Sequence, residues 1–153
     1  MLLFINIRIV RYRNKAYEQV HFFSTFFYTE IYEHGINEKV LKWDTITKNC
    51  NIFEKKLLFV PIHQYLHWLL CVVVNPDKLT YPTSKDDNDK CFILTLDSYK
   101  YVCHNKIEIY DNVRRYLIEK KGITTNYNSL PQGFIPLLQL EGTFYINTEF
   151  FIY

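Results

Sequence analysis

The chain has 153 residues, of which 48% are hydrophobic and 18% aromatic. It is therefore too apolar for a disordered chain and long enough to bury a core, which predicts one domain over residues 1–153. The formal net charge is only +2, and we expect neither nucleic acid nor a membrane as a partner. Four glycines are too few for Gly-rich phosphate-binding loops.

The N-terminal third is predicted to be mostly helical. Residues 2–12 alternate loosely between apolar and polar and predict a strand. Residues 15–34 repeat aromatic and aliphatic side chains at three- and four-residue steps, which predicts a buried helix ended by Gly35. Residues 38–49 predict a second, short helix around Trp43.

Three short apolar runs occupy the middle of the chain, at 57–62, 67–74 and 91–98. Each is bounded by turn residues, which is typical of buried neighbouring strands in one sheet. His67 opens the second run and Asp97 closes the third. If these strands are antiparallel, the two residues meet at one edge of the sheet. If they are parallel, the two residues lie far apart.

The rest of the chain adds a loop, a helix and an apolar tail. Residues 75–90 read as a solvated insertion, whose acidic cluster lacks the spacing of a calcium-binding loop. Residues 106–121 predict a helix ended by Gly122, with an apolar face of Ile109, Val113, Tyr116 and Leu117. Residues 133–153 are β-prone, with a hairpin turn expected at 141–142.

The four cysteines show no metal-binding or redox spacing. Cys50, Cys71, Cys91 and Cys103 form no C-x-x-C pair, which argues against zinc and predicts reduced thiols. No apolar run reaches the length of about 18 residues that a transmembrane helix needs. We expect no metal and no cofactor.

The order of these motifs resembles the Ulp/SENP cysteine proteases, which act on SUMO and related ubiquitin-like modifiers. The resemblance covers about residues 20–132 and is strongest to the divergent subgroup that prefers poly-SUMO chains. The matching segments are 22–28 (FFSTFFY), 42–43 (KW), 51–53 (NIF), 59–62 (FVPI), 67–68 (HW), 94–98 (LTLDS) and 130–132 (LPQ). It implies an α/β (α+β), papain-like fold with a central mixed sheet flanked by helices and with an incomplete C-terminal part.

The resemblance also implies a role for each matching residue. His67 is the expected general base and Asp97 the group that orients its imidazole. Trp68 is expected to cover the groove that admits the modifier's Gly-Gly tail, and Gln132 to contact substrate. Taken singly, each has a plainer interpretation: an edge histidine, a turn carboxylate and a core tryptophan. Only their joint order favours the catalytic reading.

The pattern breaks where the family carries its nucleophile. The family motif P-Q-Q-x-N-x-x-D-C-G would place its second Gln at Gly133 and its Cys at Gln139, and no cysteine follows Cys103. Matches stop abruptly after Gln132, which favours a shifted reading frame or a wrongly joined exon. Cys71 is a poor substitute, because the strand rise sets it about 13 Å from His67. Cys103 is a poor substitute, because it adjoins His104 and adjacent residues of a strand point to opposite faces.

Three functions remain open from sequence. The first is a cysteine isopeptidase by descent that is inactive as written. The second is a pseudo-protease that binds SUMO or another ubiquitin-like modifier without cutting it. The third is an unrelated α/β domain. We further expect a monomer located in the nucleus or cytoplasm. Because the tail would have to replace the lost nucleophile helix, we also expect a poorly soluble or partly unfolded product.

Overall fold

The fold is described from a computed structural model, for residues 18–44, 50–79, 90–97, 105–123, 135 and 137–141. The elements in chain order are β1 (Val20–Phe22), α1 (Thr25–His34), α2 (Glu38–Leu41), β2 (Leu57–Gln64), β3 (His67–Val74), β4 (Phe92–Asp97), α3 (Lys106–Lys121) and β5 (Leu137–Glu141). The predicted strand at residues 2–12 and most of the predicted insertion lie outside the described residues.

The five strands form one mixed sheet in the order β1-β2-β3-β4-β5. The two inner pairings, β2 with β3 and β3 with β4, are antiparallel, whereas β1 and β5 run parallel to their neighbours. The three apolar runs are therefore adjacent strands, as predicted, and their order is the antiparallel one. The predicted mixed α/β class is confirmed.

One face of the sheet carries the core. Alternate residues of β2 are buried on this face, namely Leu58, Val60 and Ile62. Side chains from helices α1 and α3 join them in a single hydrophobic cluster. Phe27 and Ile31 come from α1, and the α3 members are Ile109, Val113, Tyr116, Leu117 and Ile118. The apolar face predicted for residues 106–121 is thus the face that packs on the sheet.

The first predicted helix is too long at its N-terminus. Residues 20–22 form strand β1, which pairs with the start of β2. Ser24 is in an extended conformation (φ −70°, ψ 157°), and α1 begins only at Thr25. The parallel ladder, with the Phe23 amide donating to the Phe59 carbonyl at 2.9 Å, outweighs the helical spacing of the aromatics here. Gly35 ends α1 at φ 71°, as expected.

The other two helices are bounded by local capping residues. Asn37 begins α2, and its side chain accepts from the Val40 amide at 3.0 Å. This helix ends at Leu41, but Trp43 and Asp44 are again helical, and residues 45–49 of the predicted second helix lie outside the described residues. α3 has its predicted bounds. Asn105 is its N-cap, and Gly122, in the left-handed region, is its C-cap. At 16 residues, α3 is the longest helix in the described ranges. No helix within these ranges is long and apolar enough to cross a membrane.

Part of the β-prone tail is a strand. β5 pairs with β4 from Ile93↔Leu137 to Asp97↔Glu141. Its parallel direction means that β4, α3 and β5 form a strand–helix–strand unit, a topology that the sequence did not predict. The expected turn at 141–142 includes Gly142, which lies outside the described residues.

The turn between β2 and β3 is strained. Tyr65 and Leu66 have φ of 50° and 61°, a left-handed conformation that two-residue hairpin turns fill with Asn and Gly. The Leu66 side chain is 95% exposed, so packing contributes little to offset the backbone cost.

Leu66→Gly is expected to stabilise the protein by about 0.5–1 kcal/mol, because glycine adopts φ near 60° without a Cβ clash. Chemical denaturation measures the change. Ile107→Gly is the matched control: Ile107 is also exposed, but it lies in the first turn of α3, where glycine should cost about 0.5–1 kcal/mol. Destabilisation by both variants would contradict turn strain.

Candidate active site

The antiparallel pairing of β3 and β4 brings His67 and Asp97 to the same edge of the sheet. Their register runs from Val74↔Phe92 to Leu70↔Leu96, so the start of β3 lies beside the end of β4. The His67 Nε2 atom is 2.9 Å from the Asp97 Oδ1 atom. The Asp97 side chain is 1% exposed and that of His67 is 23% exposed. The predicted juxtaposition of these two residues is therefore present.

This geometry fixes which imidazole nitrogen acts as base. An ionised carboxylate only accepts hydrogen bonds, so the Nε2–H group of His67 donates to Asp97. In the neutral ring, Nδ1 then carries the lone pair that can take up a proton. A buried carboxylate at hydrogen-bond distance holds the ring orientation and stabilises its charged form.

A lysine that the sequence analysis missed completes the charge arrangement. Lys106 begins α3, and its Nζ atom is 3.9 Å from the Asp97 Oδ2 atom. The N-terminus of α3 also contributes positive partial charge to this region. A signal existed: in a strand–helix connection, the helix begins near the end of the strand it follows, so the first residue of the 106–121 helix was a candidate neighbour of Asp97.

Trp68 lies at this sheet edge and not in the core. Side chains alternate along β3, so Trp68 is on the opposite face of the sheet from His67. It is 38% exposed and contacts the His63 ring, with centroids 4.5 Å apart. The interpretation of Trp68 as a core residue is wrong. Tyr65 and Leu66, at the adjacent turn, are also exposed, which gives this end of the hairpin an apolar surface.

The described cysteines do not supply a nucleophile at this site. Cys71 is fully buried in β3, and burial raises the pKa of its thiol to about 12. Cys50 contacts His21 in β1, which pairs with Leu58, and Leu58 pairs with Val73 near the far end of β3 from His67. From the strand rise, Cys50 and His67 are separated by roughly 20 Å.

Three other sequence positions complete the account of the predicted site. Gln139, where the family would carry its Cys, pairs with Thr95 within β5. Cys103 and Gln132 lie outside the described residues, so their predicted properties stay predictions. Among the described residues, no group of three or more His, Cys, Asp or Glu side chains could hold a metal ion.

A comparison with protein families decides which family this is. Residues 1–135 match the model of the Ulp1 protease family, C-terminal catalytic domain. The chain belongs to the Ulp1 protease family. The match extends beyond the 20–132 range predicted from motifs, and it stops just before β5.

Individual relatives agree with this assignment. Ubiquitin-like-specific protease 1C of Arabidopsis thaliana is 34% identical over 113 residues, 70% of this chain and 18% of that protein. Human Sentrin-specific protease 2 is 37% identical over 70 residues, 46% of this chain and 11% of that protein. The chain therefore spans between about a tenth and a fifth of the length of these curated relatives.

The solved structures confirm the predicted fold type. The crystal structure of a de-sumoylating protease superposes with a TM-score of 0.60 at 28% identity, covering 82% of this chain and 44% of that one. The Ulp1 protease domain in complex with Smt3, the yeast ortholog of SUMO, gives a TM-score of 0.56 at 20% identity, covering 81% of this chain and 48% of that one. The chain has the fold of these Ulp1-type domains over less than half of their length.

Asp97→Ala is expected to destabilise the Ulp1-type fold by about 3 kcal/mol. The change leaves the His67 donor without its acceptor and the Lys106 ammonium without the facing carboxylate, and breaking a buried charged pair is costly. Thermal or urea unfolding measures the effect. Asp111→Ala, at an exposed position of α3, is the control and should stay within about 0.5 kcal/mol of wild type. Equal, small effects would show that the Asp97 cluster adds nothing to stability.

Proposed function

We propose that this chain is a SUMO-directed cysteine-peptidase domain of the Ulp1 family that binds the modifier at the His67–Asp97 edge but lacks a nucleophile of its own. The 2.9 Å contact between the buried Asp97 carboxylate and the His67 imidazole carries the proposal. This pair is the base-and-orienter half of a nucleophilic triad. Family membership supplies the reaction type that such a half-site serves.

The proposed roles follow from the geometry. With a thiol beside Nδ1, His67 would take its proton, and the resulting thiolate would attack the carbonyl carbon of the isopeptide bond. The imidazolium, stabilised by Asp97, would then return the proton to the leaving amine. Asp97 touches no substrate atom in this scheme, and it acts through the imidazole that it orients.

The apolar end of the β2–β3 hairpin supports modifier binding. Trp68, the residue after His67 but on the other face of the sheet, presents an exposed indole at the same sheet edge, and Leu66 is almost wholly exposed at the adjacent turn. A flat aromatic wall suits a narrow, side-chain-free Gly-Gly tail, because larger side chains would collide with it. Tyrosine, tryptophan and arginine are also the residues that most often dominate binding energy at interfaces.

The missing nucleophile makes binding without cleavage the expected behaviour of this sequence. The position of the family Cys is Gln139, and Cys71 is buried with its thiol pKa raised to about 12 by desolvation. Loss of a triad nucleophile typically lowers turnover by several orders of magnitude. The poly-SUMO preference, the monomeric state and a nuclear or cytoplasmic location stay predictions.

The second candidate function is an active SUMO isopeptidase encoded by the same gene. The abrupt end of the motif match after Gln132 favours it. Sequencing the transcript across codon 132 in all three frames tests it. A D-C-G triplet downstream in another frame would make the gene's working product a peptidase, whereas a message encoding Gly133 onwards would leave binding as the function.

Trp68→Ala is expected to weaken the binding of a mature, Gly-Gly-ended SUMO at least tenfold, because the change removes the exposed indole at the sheet edge where His67 lies. Isothermal titration calorimetry measures the affinity. Phe26→Ala is the control, since Phe26 is 67% exposed on α1 and outside the hairpin, and it should bind like wild type. No release of fluorophore from a SUMO-linked fluorogenic substrate is expected from either protein.

Two results would count against this proposal. If the wild-type protein melts cooperatively, and is therefore folded, but has no affinity for the modifier, the binding function is excluded. Turnover by the wild type, abolished by His67→Ala, would show that a nucleophile is present after all and would favour the isopeptidase.

A further inference from the structure

A second histidine pair, this time of an imidazole with a sulfur, lies at the β1 edge of the sheet. The Cys50 Sγ atom is 3.2 Å from the Nδ1 atom of His21 in β1. His21 is 3% exposed, whereas Cys50 is partly exposed. The imidazole is thus fixed in the protein interior while the sulfur can be reached from solvent. This is the arrangement of a thiol whose proton can pass to a neighbouring base.

Aromatic side chains hold this pair in place. The His21 ring meets Phe23 edge-on at 4.6 Å between centroids, and Phe23 meets Tyr116 at 5.9 Å. Tyr116 is 1% exposed, and its hydroxyl has no hydrogen-bond partner within the described residues. Burial, the Asp44 carboxylate and Cys50, in that order, raise the pKa of the Tyr116 phenol. Its hydroxyl therefore lies within the electrostatic field of the Cys50 sulfur.

Two charged groups near the pair, Asp44 and Lys120, carry opposite charges that offset each other. Asp44 is buried and disfavours a nearby thiolate, although the same charge favours an imidazolium at His21. The Lys120 Nζ atom lies 2.6 Å from the Asp44 Oδ1 atom and offsets that carboxylate. The residues of β2 that pair with β1 are Leu57, Leu58 and Phe59, which carry no charge. The Cys50 sulfur is in contact with His21, so His21 is the group whose replacement tests the site.

We propose that Cys50 and His21 form a nucleophilic thiol site that reacts with small carbon electrophiles, separate from the His67–Asp97 site. With iodoacetamide as the probe, the sulfur attacks the carbon that bears iodine. The S–C bond forms and the C–I bond breaks, with its electron pair leaving as iodide. The thiol proton passes to His21 Nδ1 and then to water.

The other described cysteines differ from Cys50 in their exposure to solvent. Cys71 and Cys91 are buried, and burial raises the pKa of each thiol to about 12. Neither can react in the folded protein. Among the three described cysteines, a thiol-directed probe therefore reports Cys50 and not a nucleophile at His67, which lies roughly 20 Å away by strand geometry.

The test is the rate of iodoacetamide labelling of each cysteine in the native full chain, from pH 5.5 to 9, by quenched digestion and mass spectrometry. An ordinary thiol, with a pKa of about 8.5, loses about tenfold in rate per pH unit below that value. For Cys50 we expect the rate at pH 6.5 to be within about fivefold of the rate at pH 8.5, since thiols beside an imidazolium ionise earlier.

Variants assign the effect to His21. His21→Asn should lower the Cys50 rate at pH 6.5 at least tenfold and restore an ordinary profile. His63→Asn is the matched control, because it changes an exposed histidine on the β2–β3 hairpin, and it should leave the profile unchanged.

Several outcomes would overturn the proposal. The wild-type profile alone does so if the Cys50 rate falls about tenfold per pH unit below pH 8.5, or if Cys50 is not labelled in the folded protein. It is also overturned if His21→Asn, with wild-type circular dichroism, keeps the wild-type profile. Should His21→Asn fail to fold, the wild-type profile still decides the question.

Discussion

The antiparallel register between β3 and β4 is the constraint on which the candidate site depends. It places the first residue of one strand beside the last residue of the other, and so brings His67 within 2.9 Å of Asp97. Because side chains alternate along a strand, a slip of one residue would turn His67 to the other face. The buried row on β3 opposes such a slip, since it would turn Leu69, Cys71 and Val73 out of the core.

Burying the Asp97 carboxylate requires the neighbours that surround it. An isolated buried carboxylate is strongly unfavourable, and it persists only when paired and hydrogen-bonded. Here His67 donates to one oxygen, and Lys106 at the start of α3 faces the other. The connection from β4 to α3 thus does more than join two elements. It delivers the positive end of a helix and an ammonium group to the carboxylate that orients the imidazole.

The parts of the fold that follow local rules were predictable. Strands of buried aliphatic residues and a helix with a clear apolar face, an Asn cap and a closing glycine appear where the sequence places them. β1 was not, because residues 20–22 share the aromatic spacing of α1 and become a strand only by pairing with β2. His67 and Asp97 were found from strand ends, and Lys106 could have been found as the first residue of the helix that follows β4. The Cys50–His21 contact depends on tertiary packing that no sequence spacing records.

The end of β5 determines where the chain next reaches the candidate site. β5 runs parallel to β4, and its last residue, Glu141, is in register with Asp97. The chain that leaves β5 therefore emerges at the same sheet edge as the His67–Asp97 pair, which is where an attacking thiol has to arrive. The sequence that follows contains no cysteine. The described residues place His67, Asp97 and the exposed Trp68 at this edge, so the element that a nucleophilic triad still requires here is a thiol within reach of the His67 imidazole.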